Sequence, residues 1–317
     1  LVWHEDEPLA HPSSVALYFV AELASRHVKV VLTGEGSDEL LAGYGRYWKT
    51  LYNQALGRPY QQLTSASLRR GVRGLIEGMP GPKAVRNKLR RTFLCLSPEL
   101  ESIYLDNFAV FSRRRQHALL ASDTRERLGR IDPYAFMRSL LDDADDLDPL
   151  NTLLFLDMHT YLHELLMKQD QMSMAASVES RVPFLDHELV EFAARLPRRM
   201  KLRGRTTKYI LRRAFTDMLP EPILSRSKAG FPVPIGTWFR ERYRAVVHDY
   251  VLGERSLRRG IFDAAAIERL AREHQSGAVD HSERLWALVN LELWHRLFID
   301  REPREAVGRT LLAVAAT

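Results

Sequence analysis

A single cysteine, Cys95, in 317 residues excludes an internal disulfide framework and fits a reducing compartment, the cytoplasm. No uninterrupted apolar run approaches the roughly 20 residues needed to cross a bilayer, which argues against a membrane partner. The first residues, Leu1-Val2-Trp3, hold neither an initiator methionine nor a leader pattern. Lysine is scarce, at eight of the 46 basic residues, and 40 acidic residues leave a net charge of +6. That mild excess suits a polyanion, either a nucleotide or a nucleic acid. The basic cluster of Arg69, Arg70, Arg73, Lys83, Arg86, Lys88, Arg90 and Arg91 lacks the interleaved aromatics of a single-strand-binding surface. It reads as a solvated helix face, and nucleic acid is disfavoured as a partner. There is no internal repeat or low-complexity segment. With 45% hydrophobic residues the chain can bury a sizeable core.

What is present is concentrated in residues 28–44, VKVVLTGEGSDELLAGY. A nearly continuous β-type run, 28–32, predicts a strand buried on both faces of a parallel sheet. Gly34 and Gly36 then let the backbone turn sharply and approach a ligand. Ser37 is the expected helix N-cap, with Asp38 and Glu39 in the first turn. Glu35, Asp38 and Glu39 thus gather beyond the carboxyl end of a strand, where open α/β sheets bind ligands. Ordinary capping chemistry would use the same residues, and the carboxylates alone leave both readings open.

Around this segment the pattern is helical. Pro12, Ser13 and Ser14 open a helix to about residue 27, with Val15, Phe19 and Leu23 on one face. Residues 1–3 are the only other candidate sheet material before the strand. Further helices are expected at 149–169, 186–195, 206–218, 234–252, 264–274 and 282–298, with a frayed or docked tail at 306–317. The acidic run 142–148, DDADDLD, lacks the glycine and glutamate of an EF-hand loop and reads as a charged linker. His159 and His163 stand one helical turn apart, but HTYLH lacks the glutamate of a zinc-protease helix. Asp157, Tyr161, Glu164 and Lys168 recur with helical spacing, more simply a solvated face than a cleft. Met172 and Met174 read as core filler. Lys208, Arg212 and Arg213 share a predicted helix and could lend positive potential to the phosphate end of a site, with surface placement the simpler expectation.

Three strings in order, GEGSDELLAGY, LLMKQDQMSMAASVESRVPFLD at 165–186, and TKYILRRAF through LPEPILSRSKAGFPVPIGTW at 207–238, resemble the asparagine synthetase family. The resemblance spans roughly residues 1–300. It implies an α/β fold, predominantly helical here: part of an adenine nucleotide α-hydrolase-like (PP-loop ATP pyrophosphatase) domain with a truncated parallel sheet. Residues 1–50 would be the remainder of the nucleotide-binding sheet layer and 51–317 its helical continuation. The SGGxDS-type phosphate loop of the family does not occur in the sequence, nor does its N-terminal nucleophilic cysteine. The expectation is therefore a piece of a longer polypeptide, incomplete at its N-terminus and inactive alone.

The implied chemistry joins ATP, aspartate and ammonia from a glutaminase domain absent from this chain, through β-aspartyl-AMP, to asparagine, AMP and pyrophosphate. By resemblance Asp38 would hold Mg²⁺-pyrophosphate, with Gly34, Gly36 and Ser37 as phosphate-side donors. Glu35 would stand near the acyl group and attacking nitrogen, and Lys228, in SRSKAGFPVPIG, would contact phosphates. Asp170 would lie near the phosphate or substrate site, with Glu179 and Arg181 as an organising ion pair close by or, equally, as a structural network stitching helices. Glu39 would be structural, paired with an arginine. A homodimer is left open. The alternatives are a relative adenylating another carboxylate, as β-lactam-forming members do, and a non-catalytic binding module.

Overall fold

A computed structural model of the chain describes residues 1–129, 131–226, 230 and 233–315, except the side chains of residues 83 and 315. Helices dominate. The segment read as sheet material at the start is instead a short helix, α1 (Val2–Glu5), because Val2 packs with Leu9, Leu297 and Val307 rather than beside a strand. Helix α2 (Ser13–Ser25) leads into strand β1 (Val30–Leu32).

The sheet has two strands among the described residues. β1 pairs in parallel with β2 (Glu179–Arg181), Val30 opposite Glu179 and Leu32 opposite Arg181. Burial on both faces is not found. Leu32 is 74% exposed, and Val30, Phe19, Val20 and Leu23 are exposed with it, since no described element covers that side. β2 escaped the sequence reading because Glu-Ser-Arg has neither β-branching nor apolar alternation. Its register comes from Val178, fully buried just before it.

After the β1 turn come α3 (Ser37–Leu40) and the long α4 (Gly45–Leu63). The basic cluster falls on α5 (Ala66–Gly78) and α6 (Lys83–Arg90), largely solvated as expected. The predicted helix 149–169 is two helices, α7 (Pro149–His159) and α8 (Tyr161–Ala175). They break at Thr160, whose φ/ψ of −131/−75 is not helical and whose hydroxyl donates to the Leu156 carbonyl at 2.6 Å. Asp148 caps α7 through the Leu150 amide, so the acidic run ends in a helix start. Met172 is buried as core filler, whereas Met174 is exposed.

Beyond β2, α9 (His187–Arg195) is capped by Asp186, and α10 (Tyr209–Ala214) follows. The expected helix 234–252 is interrupted after α11 (Ile235–Arg240). Helices α12 (Ala264–Gln275) and α13 (Ser282–Trp294) pack with α11 around Tyr250, Ile267 and Leu285. The tail forms α14 (Arg304–Ala315), which sets Val307, Leu311 and Val314 against the apolar clusters instead of fraying. No helix among the described residues is long and apolar enough to cross a membrane.

Candidate active site

The β1 turn is built by Gly36. Its φ of +85° belongs to the left-handed region, and a side chain there would overlap Leu185. Gly36, not Ser37, is the residue preceding α3, and Ser37 occupies the first helical position. The Ser37 hydroxyl is thereby free to donate to the Gly34 carbonyl at 2.7 Å and to accept from Lys208 Nζ at 2.8 Å. Lys208 Nζ also stands 3.0 Å from Asp38 Oδ1, making a half-buried ion pair. Solvation of Lys208 is thus corrected: its amide donates to the Leu41 carbonyl, which draws the side chain inward over Asp38.

Two strained residues frame this pair. Lys208 has φ +50° and Ala42, fully buried, has φ +54°, left-handed conformations that cost on the order of 1 kcal/mol each without glycine. Gly43 lies between them in space, and a Cβ there would overlap both Asp38 Oδ1 and Lys208 Cε. Packing of Leu40 and Leu41 against Ala193, Ile210 and Leu211 holds the strained turn in place.

Glu39 points inward and is 1% exposed. Its partner is not an arginine but Tyr44, whose hydroxyl donates to Glu39 Oε1 at 2.7 Å. Burial raises the Glu39 pKa, the Tyr44 bond only partly offsets it, and the charges of Asp38 and Asp157 raise it further. Behind it, Arg46 pairs with Asp157 at 2.6 Å, and Tyr47 donates to the same carboxylate at 2.5 Å. The Arg46 guanidinium is caged by Tyr161 at 4.3 Å, Tyr44 at 4.8 Å and Tyr104 at 5.5 Å.

Asp157, Tyr161, Glu164 and Lys168 therefore face inward, the reverse of the solvated face expected. The break at Thr160 turns the start of α8 toward the Gly34–Tyr44 segment. Lys168 is 7% exposed, and Glu35 is the foremost charge favouring its ammonium, ahead of Glu5, Glu164 and Glu39. His11 faces Lys168 and Arg46. Helical spacing in the sequence held this signal, and the choice of face was what failed.

Glu35 is half-buried, Gly34 is exposed with open space around its Cα, and Ser37 and Asp38 are buried. Asp170 is exposed and opens onto a shallow depression of about 420 Å³ with Lys29, Met174, Glu179, Ser180 and Arg181. None of its lining residues belongs to the 34–44 segment. Glu179 and Arg181 do form an ion pair, at the exposed strand edge. Lys228 lies outside the described residues. The segment before it is tied to the Lys208 helix, because the Arg212 guanidinium donates to the carbonyls of Leu224 and Arg226.

Among the described residues no group of three His, Cys, Asp or Glu could hold a metal ion unaided, His159 and His163 included. Among the described residues Asp38 is the one carboxylate paired with Lys208. This donor set fits a cation that arrives with its own phosphate ligands, since Mg²⁺ is commonly held by one or two protein carboxylates plus substrate phosphates.

A parallel strand running into a glycine turn with paired Asp and Lys defines an α/β ligand site of the strand-end class. The family model for asparagine synthase matches residues 1–296, and the chain belongs to the asparagine synthase family. It is 37% identical over 302 residues to a Mycobacterium tuberculosis protein described as "Putative asparagine synthetase (glutamine-hydrolyzing)", covering 95% of this chain and 44% of the relative. It is 31% identical over 303 residues to "Asparagine synthetase (glutamine-hydrolyzing) 1" of Bacillus subtilis, covering 95% and 45%. A 28% identical "Amidase chyE" of Penicillium rubens is matched over 75% of this chain and 37% of its own length. The chain spans somewhat less than half the length of the synthetases it matches.

Proposed function

We propose that the chain is the synthetase part of a glutamine-dependent asparagine synthetase, a carbon–nitrogen ligase that couples ATP to conversion of aspartate into asparagine. Its two-stranded sheet, β1 from residues 1–50 and β2 from within 51–317, would belong to an ATP pyrophosphatase-type domain. The intact protein would work in the cytoplasm. The observation that carries the reading is the Asp38–Lys208–Ser37 group beyond β1, held by strained backbone.

In the proposed reaction a side-chain carboxylate oxygen attacks the α-phosphorus of ATP, the α–β P–O bond breaks, and pyrophosphate leaves. Charge builds on the leaving diphosphate. Lys208, at the strand end with the Ser37 hydroxyl, is positioned for that charge. Lys228 would add a second cation, a reading supported by the tie of Arg212 to residues 224 and 226. Asp38, with Gly34 and Gly36 beside it, would hold Mg²⁺ brought by the nucleotide, which supplies charge neutralisation. In the second step ammonia from a glutaminase domain attacks the acyl carbon and AMP departs. The proton lost by the attacking nitrogen would go to Glu35, a half-buried carboxylate on the turn. Asp170 would contribute from the substrate side.

The test is AMP release by the intact protein. ATP, L-aspartate and glutamine or ammonia together should yield AMP, pyrophosphate and asparagine in equal amounts. Absence of AMP with every carboxylate tried would end the proposal.

A further inference from the structure

Behind Glu35 lies a polar group around Lys168, whose helical spacing the sequence showed but whose inward face it did not. Lys168 Nζ is buried, yet its one hydrogen bond is to Ser13 Oγ at 3.4 Å, and no carboxylate among the described residues reaches it within 4.0 Å. An ammonium has three N–H donors, so two are uncommitted. Four carboxylates, Glu35, Glu5, Glu164 and Glu39, and the ring of His11 surround it at longer range. Two of those carboxylates carry buried oxygens with no hydrogen bond, Glu5 Oε2 and Glu39 Oε2, and Ser14 Oγ, 0% exposed, is likewise unbonded. Burial lowers the Lys168 pKa and raises that of Glu5 to about 7, as expected when charge is left uncompensated.

Donors without acceptors and acceptors without donors, side by side but out of reach of each other, call for a ligand bearing both. A zwitterionic amino acid does: its carboxylate matches Lys168, and its ammonium matches the orphaned Glu5 and Glu39 oxygens. We propose that Lys168 is the anchor for a carboxylate of the amino-acid substrate, with Glu5 and Glu39 receiving its α-ammonium. Glu35 is the foremost charge on this anchor and sits on the same turn as Asp38, linking the anchor to the Asp38–Lys208 end. The assignment rests on the synthetase reading and deepens it: it selects an amino acid over a plain carboxylic acid.

The experiment is calorimetric titration of the intact protein with L-aspartate and with succinate, which lacks the ammonium, run beside AMP release. Wild type should bind L-aspartate well above succinate. Lys168→Met should weaken L-aspartate binding at least tenfold and raise its KM alike, leaving the KM for ATP unchanged, and Lys168→Arg should recover part of the loss. If Lys168→Met does not fold, Glu5→Gln decides: it should weaken L-aspartate and leave succinate unaffected. Wild-type affinity in Lys168→Met, equal binding of the two ligands by wild type, or an unchanged aspartate-to-succinate preference in Glu5→Gln would overturn the assignment. AMP release with any of those results would leave the synthetase reading standing, whereas discrimination without AMP release would leave the anchor and remove the reaction.

Discussion

Gly43 has no space for a side chain between Asp38 and Lys208. Gly43→Ala should displace that pair and cut AMP release by the intact protein at least tenfold. Its melting temperature should fall no further than that of Lys208→Met, because the turn is still held by Leu40 and Leu41. Full activity in the alanine variant would show that the pair is not used. Lys208→Met should remove the Lys208 ion pair from the buried Asp38 carboxylate and lower unfolding free energy by about 1–3 kcal/mol, read from urea melts. Glu5 offers a pH test. Its folded pKa of about 7 stands above the ordinary 4.5, through burial first and then the charge of Glu164. The folded state therefore keeps a proton that the unfolded chain has released, and stability falls as pH rises from about 4.5 to 7. Glu5→Gln should match wild type near pH 4.5 and exceed it above pH 7. A constant difference across that range would mean that Glu5 does not titrate as described. At this scale the sequence was most informative for Glu35, Ser37 and Asp38, since the glycine spacing and acidic turn are local signals. Lys208 was placed wrongly because its inward turn depends on a left-handed backbone and on a bond to Leu41, a residue 167 positions earlier.

Among the elements, α4 and α7 are joined by Arg46 and Tyr47 on Asp157. Asp157→Ala would leave a caged guanidinium and a buried phenol without their acceptor. The expected cost is about 3–5 kcal/mol, and the check is denaturant unfolding of the variant against Arg46→Met/Asp157→Leu, which removes both charges. The double variant should be the more stable of the two. If Asp157→Ala alone is neutral, the ion pair is not what fastens these helices. Helices with caps or strong amphipathic spacing were legible: Asp186 before α9 and the apolar face of α12 were both readable. Strand β2 and the break at Thr160 were not. Strand β2 is imposed by pairing with β1 and leaves no mark in local propensity, and the break comes with the Thr160 hydroxyl bonding back to the Leu156 carbonyl, which apolar spacing does not reveal.

Across the described residues, burial lowers the pKa of five histidines, His4, His11, His274, His281 and His295. His274 accepts from the His281 amide at Nδ1 and binds the Gly236 carbonyl through Nε2, so a second ring proton would break the first contact. His281 binds Glu273 through Nε2 and accepts from Arg284 at Nδ1. Burial lowers both pKa values, with Arg240 adding to His274 and Arg284 to His281. Burial, then Lys168 and Arg46, lower His11 to about 4. In each case the unfolded chain takes up a proton near pH 6.5 that the folded chain refuses, so stability is lost as pH falls below that value. The direction is opposite to that of Glu5, and wild type alone would blend the two. In the Glu5→Gln background one opposing group is removed, while Glu39 and Glu164, whose pKa values burial also raises, still oppose the histidines, so the fall in urea midpoint from pH 7 to 5 should be steeper than in wild type. His274→Asn, which retains one donor and one acceptor but cannot charge, should flatten part of that fall. A difference between the His274→Asn variant and its parent that stays constant over the same interval would mean that the buried ring is protonated without cost, and that the α12–α13 turn does not depend on its neutral form.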